Sequence, residues 1–322
     1  MKRSVKIWLA VGGCLLIAGL ALIGASAARG GWDFASLDNG NYGTVTYDVN
    51  DVSSLRGIKI DTDTDDIAVL PSQDGRARVV IFEEEKEKHT VGTDGGILEI
   101  AVVKEKKTSS FLDFSFRQTK VTVYLPKGEY GYLTVKESTG DVEVSEGFTF
   151  ESIDISASTG DVSCRASASG NIGIALSTGD ITLDGVSAKS IALAVSTGRI
   201  DLSNVSCKGE TAITVSTGKT FLKSVTCASF TTGGSTGDVT LSDVVAEGVM
   251  SVTRSTGDVR LDGCDAAEIS IKTDTGDVTG TLLSSKVFMT KTDTGSVDVP
   301  ETVSGGKCRI VTDTGDIKIK LK

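Results

Sequence analysis

The sequence predicts an all-β protein: a parallel β-solenoid of about ten coils, preceded by an irregular β-rich capping region and one N-terminal transmembrane helix. The first observation is that the dipeptide Thr-Gly stands at ten positions spaced 19 or 20 residues apart, from Thr139 to Gly315. Such regularity is typical of a stacked repeat architecture. The second observation is an alternation of apolar and polar residues inside each repeat, and the third is an uncharged N-terminal segment of 22 residues.

Glycine marks the corner of each predicted coil, because a tight corner needs a residue that adopts positive φ at little cost. The predicted turn glycines are Gly140, Gly160, Gly179, Gly198, Gly218, Gly237, Gly257, Gly276, Gly295 and Gly315. Asp follows seven of them, whereas Arg199, Lys219 and Ser296 follow the other three. Threonine precedes all ten, and we expect its hydroxyl groups to form a stacked ladder that satisfies the turn amides.

Two apolar columns follow the corners at a spacing of two residues, as in Ile181 and Leu183. A period of two is typical of a strand and not of a helix. Thr220 interrupts the first column, and Gly280 interrupts the second. Further apolar pairs later in each repeat indicate three short stretches per coil. Stacking at about 4.8 Å per coil buries such columns in one continuous core.

Composition and pattern divide the chain into five segments. They are a basic tail at 1–6, an uncharged segment at 7–28, a tether at 29–42, the β-rich capping region at 43–135 and the solenoid at 136–322. Within the capping region, strands are predicted at 43–49, 57–61, 66–70, 77–83, 97–103, 119–125 and 132–136.

The uncharged segment 7–28 is long enough to cross a hydrocarbon core of about 30 Å as a helix. Three basic residues precede it and only Arg29 follows immediately, so the positive-inside rule predicts a cytoplasmic N-terminus and an extracellular repeat domain. The sequence Ala25-Ser26-Ala27 leaves a second interpretation open, in which the segment is a signal peptide cleaved near Ala27 and the protein is secreted.

Both ends of a solenoid need protection, because an unpaired strand edge invites aggregation. At the C-terminus, the alternate lysines of the strand 317–322 predict a charged cap. At the other end, residues 61–67 resemble a degenerate repeat, so the stack could begin there in irregular form. The charged run Glu83–His89, which contains the only histidine, is expected to be solvated.

The formal net charge of −10 argues against nucleic acid as a partner, because phosphate binding requires a basic surface. The only histidine, His89, lies inside the charged run, so Ser/His/Asp, Cys/His and multi-histidine metal sites are not expected, and no phosphate-binding glycine loop is present. We therefore expect neither a catalytic residue nor a cofactor. A carbohydrate-active β-helix enzyme stays an alternative, because stacked aspartates lie close to the ~5 Å carboxyl separation of retaining glycosidases.

Calcium binding is a second alternative. Carboxylate oxygen atoms are the ligands that Ca²⁺ prefers. The candidate cluster near one corner of the last coils comprises Asp274, Asp277, Asp293, Asp313 and Asp316.

Two smaller features remain open. Phe111, Phe114 and Phe116 form either part of the core of the capping region or an exposed patch for a partner or the bilayer. Cys207 and Cys227 share one position in adjacent coils, so they are either buried small apolar residues or a disulfide pair.

The N-terminal segment followed by Gly-Trp-Asp-Phe, the stretch Thr-Asp-Thr-Asp-Asp-Ile and the Ser-Thr-Gly-Asp-Val repeats together resemble a bacterial family. It is the putative-adhesin domain-of-unknown-function family, which has LiaG-like envelope proteins of Gram-positive bacteria among its relatives. The resemblance covers nearly the whole chain and implies adhesion or a link to envelope stress. It implies no catalytic residues.

These observations lead to one functional hypothesis. The chain is expected to be a non-enzymatic interaction or scaffold protein, held in the cell membrane by residues 7–28. Its partner is expected to be an extracellular protein or glycan.

Overall fold

The computed structural model describes residues 41–50, 52, 55–85, 87–103 and 118–322. All regular elements among the described residues are β-strands. No helix in these ranges is long and apolar enough to cross a membrane. The predicted tail 1–6 and transmembrane segment 7–28, with the cleavage site near Ala27, lie outside the described residues.

The strands are numbered in chain order. Those of the N-terminal part are β1 (Tyr42–Val49), β2 (Gly57–Asp61), β3 (Asp65–Pro71), β4 (Ala77–Glu84), β5 (His89–Asp94), β6 (Ile97–Val102), β7 (Thr119–Leu125), β8 (Gly128–Thr139) and β9 (Val142–Val144). The middle strands are β10 (Phe148–Thr159), β11 (Val162–Cys164), β12 (Ser167–Ala168), β13 (Asn171–Thr178), β14 (Ile181–Asp184), β15 (Ser187–Ala188), β16 (Ser190–Thr197), β17 (Ile200–Cys207), β18 (Glu210–Thr217), β19 (Thr220–Cys227) and β20 (Ser229–Thr236). The last strands are β21 (Val239–Thr256), β22 (Val259–Thr275), β23 (Val278–Leu282), β24 (Lys286–Thr294), β25 (Val297–Asp298), β26 (Gly306–Thr314) and β27 (Ile317–Leu321).

The predicted parallel β-solenoid of about ten coils is confirmed. Each regular coil has three sides. The first side ends at Thr-Gly, and the second follows the aspartate. A second corner then turns through a residue with φ between 52° and 69°. These residues are Gly185, Asn204, Ser224, Asp243 and Gly263. The third side carries the later apolar pair and leads to the next coil.

Parallel pairing places each residue directly above its equivalent in the preceding coil. Ile181 pairs with Ile200, and Leu183 pairs with Leu202. These side chains are at most 1% exposed, and they belong to one core cluster that runs from the capping region to the last coils. The two apolar columns predicted from the period of two are therefore confirmed as inward-facing positions.

The breaks in the columns are explained by one buried arginine and one close contact. Arg254 is only 1% exposed and donates hydrogen bonds from Nη2 to the hydroxyl oxygens of Thr220 and Thr232. Its side chain occupies the place that a side chain at Gly234 would need, since an added Cβ there would lie 2.3 Å from Nη1. Gly280 breaks the second column because an added Cβ would meet the carbonyl oxygen of Leu261 at 1.8 Å.

The last two coils are stacked in the reverse of their sequence order. Strand β26 lies between β22 and β24, and β27 lies between β23 and β25. The C-terminal coil is therefore an internal layer, and the coil formed by residues 286–298 ends the stack. The prediction that the lysines of strand 317–322 cap the end was wrong, because local periodicity does not specify which coil lies outermost.

The N-terminal end shows the same exchange. Strand β2 lies between β6 and β8, and β3 lies between β7 and β9. The layer formed by residues 57–71 is therefore an inner one, and the layer formed by β6 and β7, which comes later in the sequence, lies outside it. Antiparallel strands complete this end: β4 pairs with β7, β1 pairs with β4, and β5 pairs with β6. All seven predicted strands of this region are present, and β5 is an additional one.

The five cysteines of the described part of the chain are buried free thiols, at positions 164, 207, 227, 264 and 308. Cys207 and Cys227 continue neighbouring strands whose preceding residues, Ser206 and Thr226, are paired. Burial raises the pKa of Cys227 to about 11. The thiols therefore fill apolar columns as small side chains.

Substitution of a corner glycine should destabilise the stack. In Gly218→Ala, the new Cβ would lie 1.7 Å from the carbonyl oxygen of Gly198 at a residue with φ of 140°. We expect a loss of at least about 2 kcal/mol and a clearly lower unfolding temperature of the full-length chain. The matched control is Gly233→Ala, where an added Cβ meets nothing within 4 Å. Equal midpoints for the two variants would contradict the proposed role of the corner.

Candidate functional site: the carboxylate ladder and the buried histidine cluster

The aspartates of the Thr-Gly-Asp corners form a hydrogen-bonded column, here called the carboxylate ladder. Each Oδ1 accepts the main-chain N–H of the equivalent residue in the next coil. The first rungs join Asp66 to the amide of Asp141 at 3.0 Å, Asp141 to that of Asp161 at 2.8 Å, and Asp161 to that of Asp180 at 2.8 Å. In the later rungs, Asp238 accepts the amide of Asp258, Asp258 accepts that of Asp277, and Asp277 accepts that of Asp316. The ladder thus ties successive corners together.

Two basic residues interrupt the ladder in the middle of the stack. Arg199 still donates its amide to Asp180 at 2.8 Å, and its guanidinium group lies 2.7 Å from Asp201. The ammonium group of Lys219 lies 3.2 Å from Asp238. Opposite charges therefore flank the gap and reduce the repulsion between neighbouring carboxylates.

The motif threonines do not have the predicted role. All ten are exposed, and within the described ranges none of their hydroxyl groups makes a hydrogen bond to a turn amide. Their main-chain carbonyl oxygens accept the glycine N–H of a neighbouring corner, as Thr178 does from Gly160 at 3.1 Å. The side-chain ladder is made by aspartate because the carboxylate, one residue beyond the glycine, is aimed at the next amide.

A groove of about 470 Å³ runs beside the first rungs of the ladder. Its floor is formed by outward side chains of the second coil side, including Glu143, Ser163 and Thr182. Lys120 lies at one end of the groove and Arg199 at the other. The groove is therefore polar, acidic along one wall and basic at both ends, which suits a ligand with hydroxyl, amide and charged groups.

The five aspartates of the candidate calcium cluster are divided among separate contacts. Asp274 pairs with Lys272 at 3.5 Å, and Asp293 pairs with Lys291 at 2.9 Å. A hydrogen bond from Lys318, together with Ser296, lowers the pKa of Asp316 to about 2. Across the described residues, no three Asp, Glu, His or Cys side chains are grouped so that they could hold a metal ion.

The charged run before the first coils contains a buried cluster that the sequence interpretation missed. His89 is held between two carboxylates, with Nδ1 at 2.9 Å from Glu83 and Nε2 at 3.0 Å from Asp65. All three residues are at most 5% exposed. The expectation that this run is solvated was wrong for Glu83 and His89, because both side chains turn inward between the antiparallel strands and the first coil.

Glu137 extends this buried histidine cluster toward the first corner. Its carboxylate accepts a hydrogen bond from the hydroxyl group of Thr62 and from the amide of Thr139. Burial raises the pKa of Glu137 to about 7, and the nearby charge of Asp65 acts in the same direction.

Burial opposes the charge of His89, but hydrogen bonds and the negative charges of Asp65 and Glu83 outweigh it and raise the pKa of the imidazole. The cluster joins β3, β4, β5 and β8, so it fastens the antiparallel strands to the coils. Its buried atoms are not accessible to a substrate. Asp65 and Asp66 connect the two features, since one side chain faces the cluster and the next begins the ladder.

The candidate patch Phe111, Phe114 and Phe116 lies outside the described residues. A sequence signal for the buried histidine cluster did exist: alternation along residues 77–83 places Glu83 on the same face as Val79 and Ile81.

The family described as Toastrack DUF4097 matches residues 55–219 and 212–322 of the chain. The chain belongs to the Toastrack DUF4097 family. The two matches together span the coils and most of the N-terminal strands. The predicted resemblance to a putative-adhesin domain-of-unknown-function family is therefore confirmed. No curated protein matches this Toastrack chain.

Solved structures resemble this chain at low sequence identity. A putative adhesin from Parabacteroides merdae is 16% identical, with a TM-score of 0.52 and coverage of 76% of this chain and 97% of that one. A putative adhesin from Parabacteroides distasonis is 14% identical, with a TM-score of 0.47 and coverage of 87% and 98%. The first of these likenesses shows that the Toastrack chain shares its fold.

The ladder should contribute to the stability of the Toastrack chain through its acceptor atoms. Asp161→Ala removes the acceptor for the amide of Asp180 and should cost about 1 kcal/mol. Asp161→Asn keeps an oxygen acceptor and removes one of three neighbouring negative charges, so we expect a change below about 0.5 kcal/mol. Denaturant unfolding of the full-length chain measures both. A loss in the Asn variant as large as that in the Ala variant would contradict the ladder.

The buried histidine cluster predicts a stability that falls as pH rises, because His89 and Glu137 both bind protons more tightly in the folded chain. The contribution of His89 is fully present below about pH 6.5 and is lost as pH rises through its raised pKa. That of Glu137 is present below pH 4.5 and is lost as pH rises through about 7.

Unfolding midpoints measured between about pH 4.5 and 9 check this prediction. Glu137→Gln should remove the part of the decline that lies between pH 4.5 and about 7. Glu129→Gln, an exposed position on the same strand, should leave the profile unchanged. Identical profiles for these two variants, or midpoints that rise with pH in the parent chain, would refute the assignment.

Proposed function

We propose that the protein is a membrane-anchored extracellular β-solenoid that acts as a non-enzymatic binding scaffold, with adhesion or envelope-stress sensing as its output. The observation that carries this proposal is the polar groove beside the carboxylate ladder. It is a rigid surface in which charged and hydroxyl groups repeat at the spacing of the strands.

The chemistry of this surface favours binding over catalysis. The ladder carboxylates are nearly equivalent, and each of the first rungs accepts a main-chain amide, which is a structural task. Glu137, whose pKa is raised by burial, is 6% exposed and has its hydrogen bonds inside the protein. A glycosidase instead requires two accessible carboxyl groups in different environments. The term adhesin for proteins of the same fold is consistent with this proposal.

The anchor and the site of action belong to the same proposal. Residues 7–28 would hold the chain in the cell membrane with the coils outside, or the chain would be secreted after cleavage near Ala27. The partner would be an extracellular protein or a glycan. Calcium-dependent binding is the alternative to be tested, although no three carboxylates of the described residues are grouped to hold the ion.

The test is adhesion of intact cells that display the full-length chain. A triple variant, Asp141→Asn, Asp161→Asn and Asp180→Asn, removes three charges from the groove wall but keeps the acceptors. We expect binding to immobilised extracellular glycans or matrix proteins to fall about tenfold, equivalent to about 1.4 kcal/mol. The matched control is Glu146→Gln, Glu151→Gln and Asp154→Asn, which removes three exposed charges elsewhere.

The same cells provide the measurements that would overturn the proposal. A membrane-impermeant cross-linker should label the coils on intact cells and recover a wall, host or membrane protein or a glycan. The scaffold function would be refuted if the coils are not labelled, or if cells that display the chain adhere no better than cells that lack it. Loss of adhesion in a chelator with the triple variant unaffected would favour the calcium-dependent candidate.

A further inference from the structure

The stack ends in a coil with an open edge. Within the described ranges, β24 pairs only with β26, and β25 pairs only with β27. The far side of β24 therefore faces no further strand of the described chain. Open main-chain donors and acceptors of this kind are a template for pairing with another strand.

Exposed apolar side chains gather at this same end. Of the nine large apolar side chains that are exposed in the described residues, five belong to the last coils and their connections. They are Leu283, Met289, Val297, Val303 and Leu321. Val303 is 97% exposed, and Phe288, which pairs with Cys308 of the adjoining coil and packs against the core, is only partly buried. Such a concentration marks an interaction surface.

The usual protections of an edge strand are weak here. Exposed edges are commonly shielded by several lysines, by proline or by a bulge. Lys286 of β24 is 3% exposed, and its ammonium group lies 2.6 Å from Asp265. Lys291 is the other lysine of the strand and is exposed, but its ammonium group lies 2.9 Å from the carboxylate of Asp293, which balances its charge. No proline occurs between residues 286 and 294.

The edge is also rigidly held. Strand β24 follows β23 in sequence, but β26 is stacked beneath it. The ion pair between Lys286 and Asp265 connects it to β22, the strand that pairs with the other side of β26. A pre-organised edge loses little conformational entropy when a second strand pairs with it.

We propose that this open edge binds the same edge of a second copy of the chain, so that two copies form a two-fold symmetric tail-to-tail dimer. The opposite end of the stack consists of the antiparallel strands β1, β4 and β5, so the two ends differ. A contact between identical ends closes the assembly at two copies instead of forming a fibre.

Charge complementarity favours a second copy over an unrelated strand. In an antiparallel pairing centred on Thr292, Lys291 of one copy lies opposite Asp293 of the other, and the two-fold axis repeats this pair. Opposite charges at directly opposed positions stabilise a strand pair, whereas like charges destabilise it. The contact is confined to the end face of one coil, and interfaces of small extent are typically weak and transient. The expected affinity is therefore micromolar.

The dimer goes beyond the proposed scaffold function and does not depend on it. Its geometry adds a consequence: the N-terminal strands of the two copies lie at opposite ends of the assembly. With about 13 stacked levels per copy at about 4.8 Å each, these ends are separated by roughly 120 Å.

The test is sedimentation velocity of the full-length chain in detergent micelles, from about 1 to 200 µM, a range that brackets micromolar affinity. Lys291→Asp and Asp293→Lys each create two like-charge pairs and should raise the dimer dissociation constant at least tenfold. The double variant that exchanges the two charges should restore it. The matched controls are Lys272→Asp, Asp274→Lys and the double variant that carries both changes. Lys272 and Asp274 have the same spacing as Lys291 and Asp293, but they lie on β22, inside the stack. These control variants should associate like the parent chain.

Each remaining outcome counts against the dimer. A parent chain that stays monomeric to about 200 µM overturns it, since micromolar pairing is expected. Association that persists unchanged in both single variants shows that another segment joins the copies and also overturns it. If the double variant dimerises as weakly as the single variants, Lys291 does not lie opposite Asp293 of the second copy, and the predicted register is wrong. Circular dichroism of every variant checks that the strands are retained.

Discussion

The close approach of successive corners is the constraint on which the rest of the structure depends. From the second Thr-Gly corner onward, a Cβ added to the glycine would lie 1.7 to 2.2 Å from a carbonyl oxygen of the adjoining corner. Only a residue without a side chain permits this spacing at positive φ. Once the main chains stack at this distance, equivalent residues must lie above one another. The core columns and the carboxylate ladder both follow from that register.

Regular stacking also determines where distinctive chemistry can arise. A residue type that recurs in every coil forms a uniform row, such as the exposed threonines and the ladder aspartates. Unique environments appear where the period fails. The guanidinium group of Arg254 enters the core where Gly234 leaves space, and the groove ends where Arg199 replaces an aspartate. His89 is buried where antiparallel strands meet the first coil.

The local pattern predicted the strands, the corners and the inward columns because each depends on residues close in sequence. The order of the coils was not predictable in this way, since residues 286–298 and 306–321 both fit the same period. Burial of His89 was missed because Glu83 and its neighbours form a charged run, which is typical of a solvated segment. The side chains of this run alternate in direction, so some of them face the core. Threonine and aspartate both offer oxygen acceptors near the corner. Only the geometry after glycine shows that aspartate reaches the next amide.

The exchanged coils at both ends change what force or a protease must do to open the solenoid. In a simple stack, the terminal coil can peel away and expose the next one. Here the C-terminal strands β26 and β27 are paired on both sides, so pulling on Lys322 must break two ladders at once. The C-terminal strands thus resist fraying, and we expect structure to be lost from this end over a barrier that both ladders raise. The persistence of the folded chain would be set by that barrier.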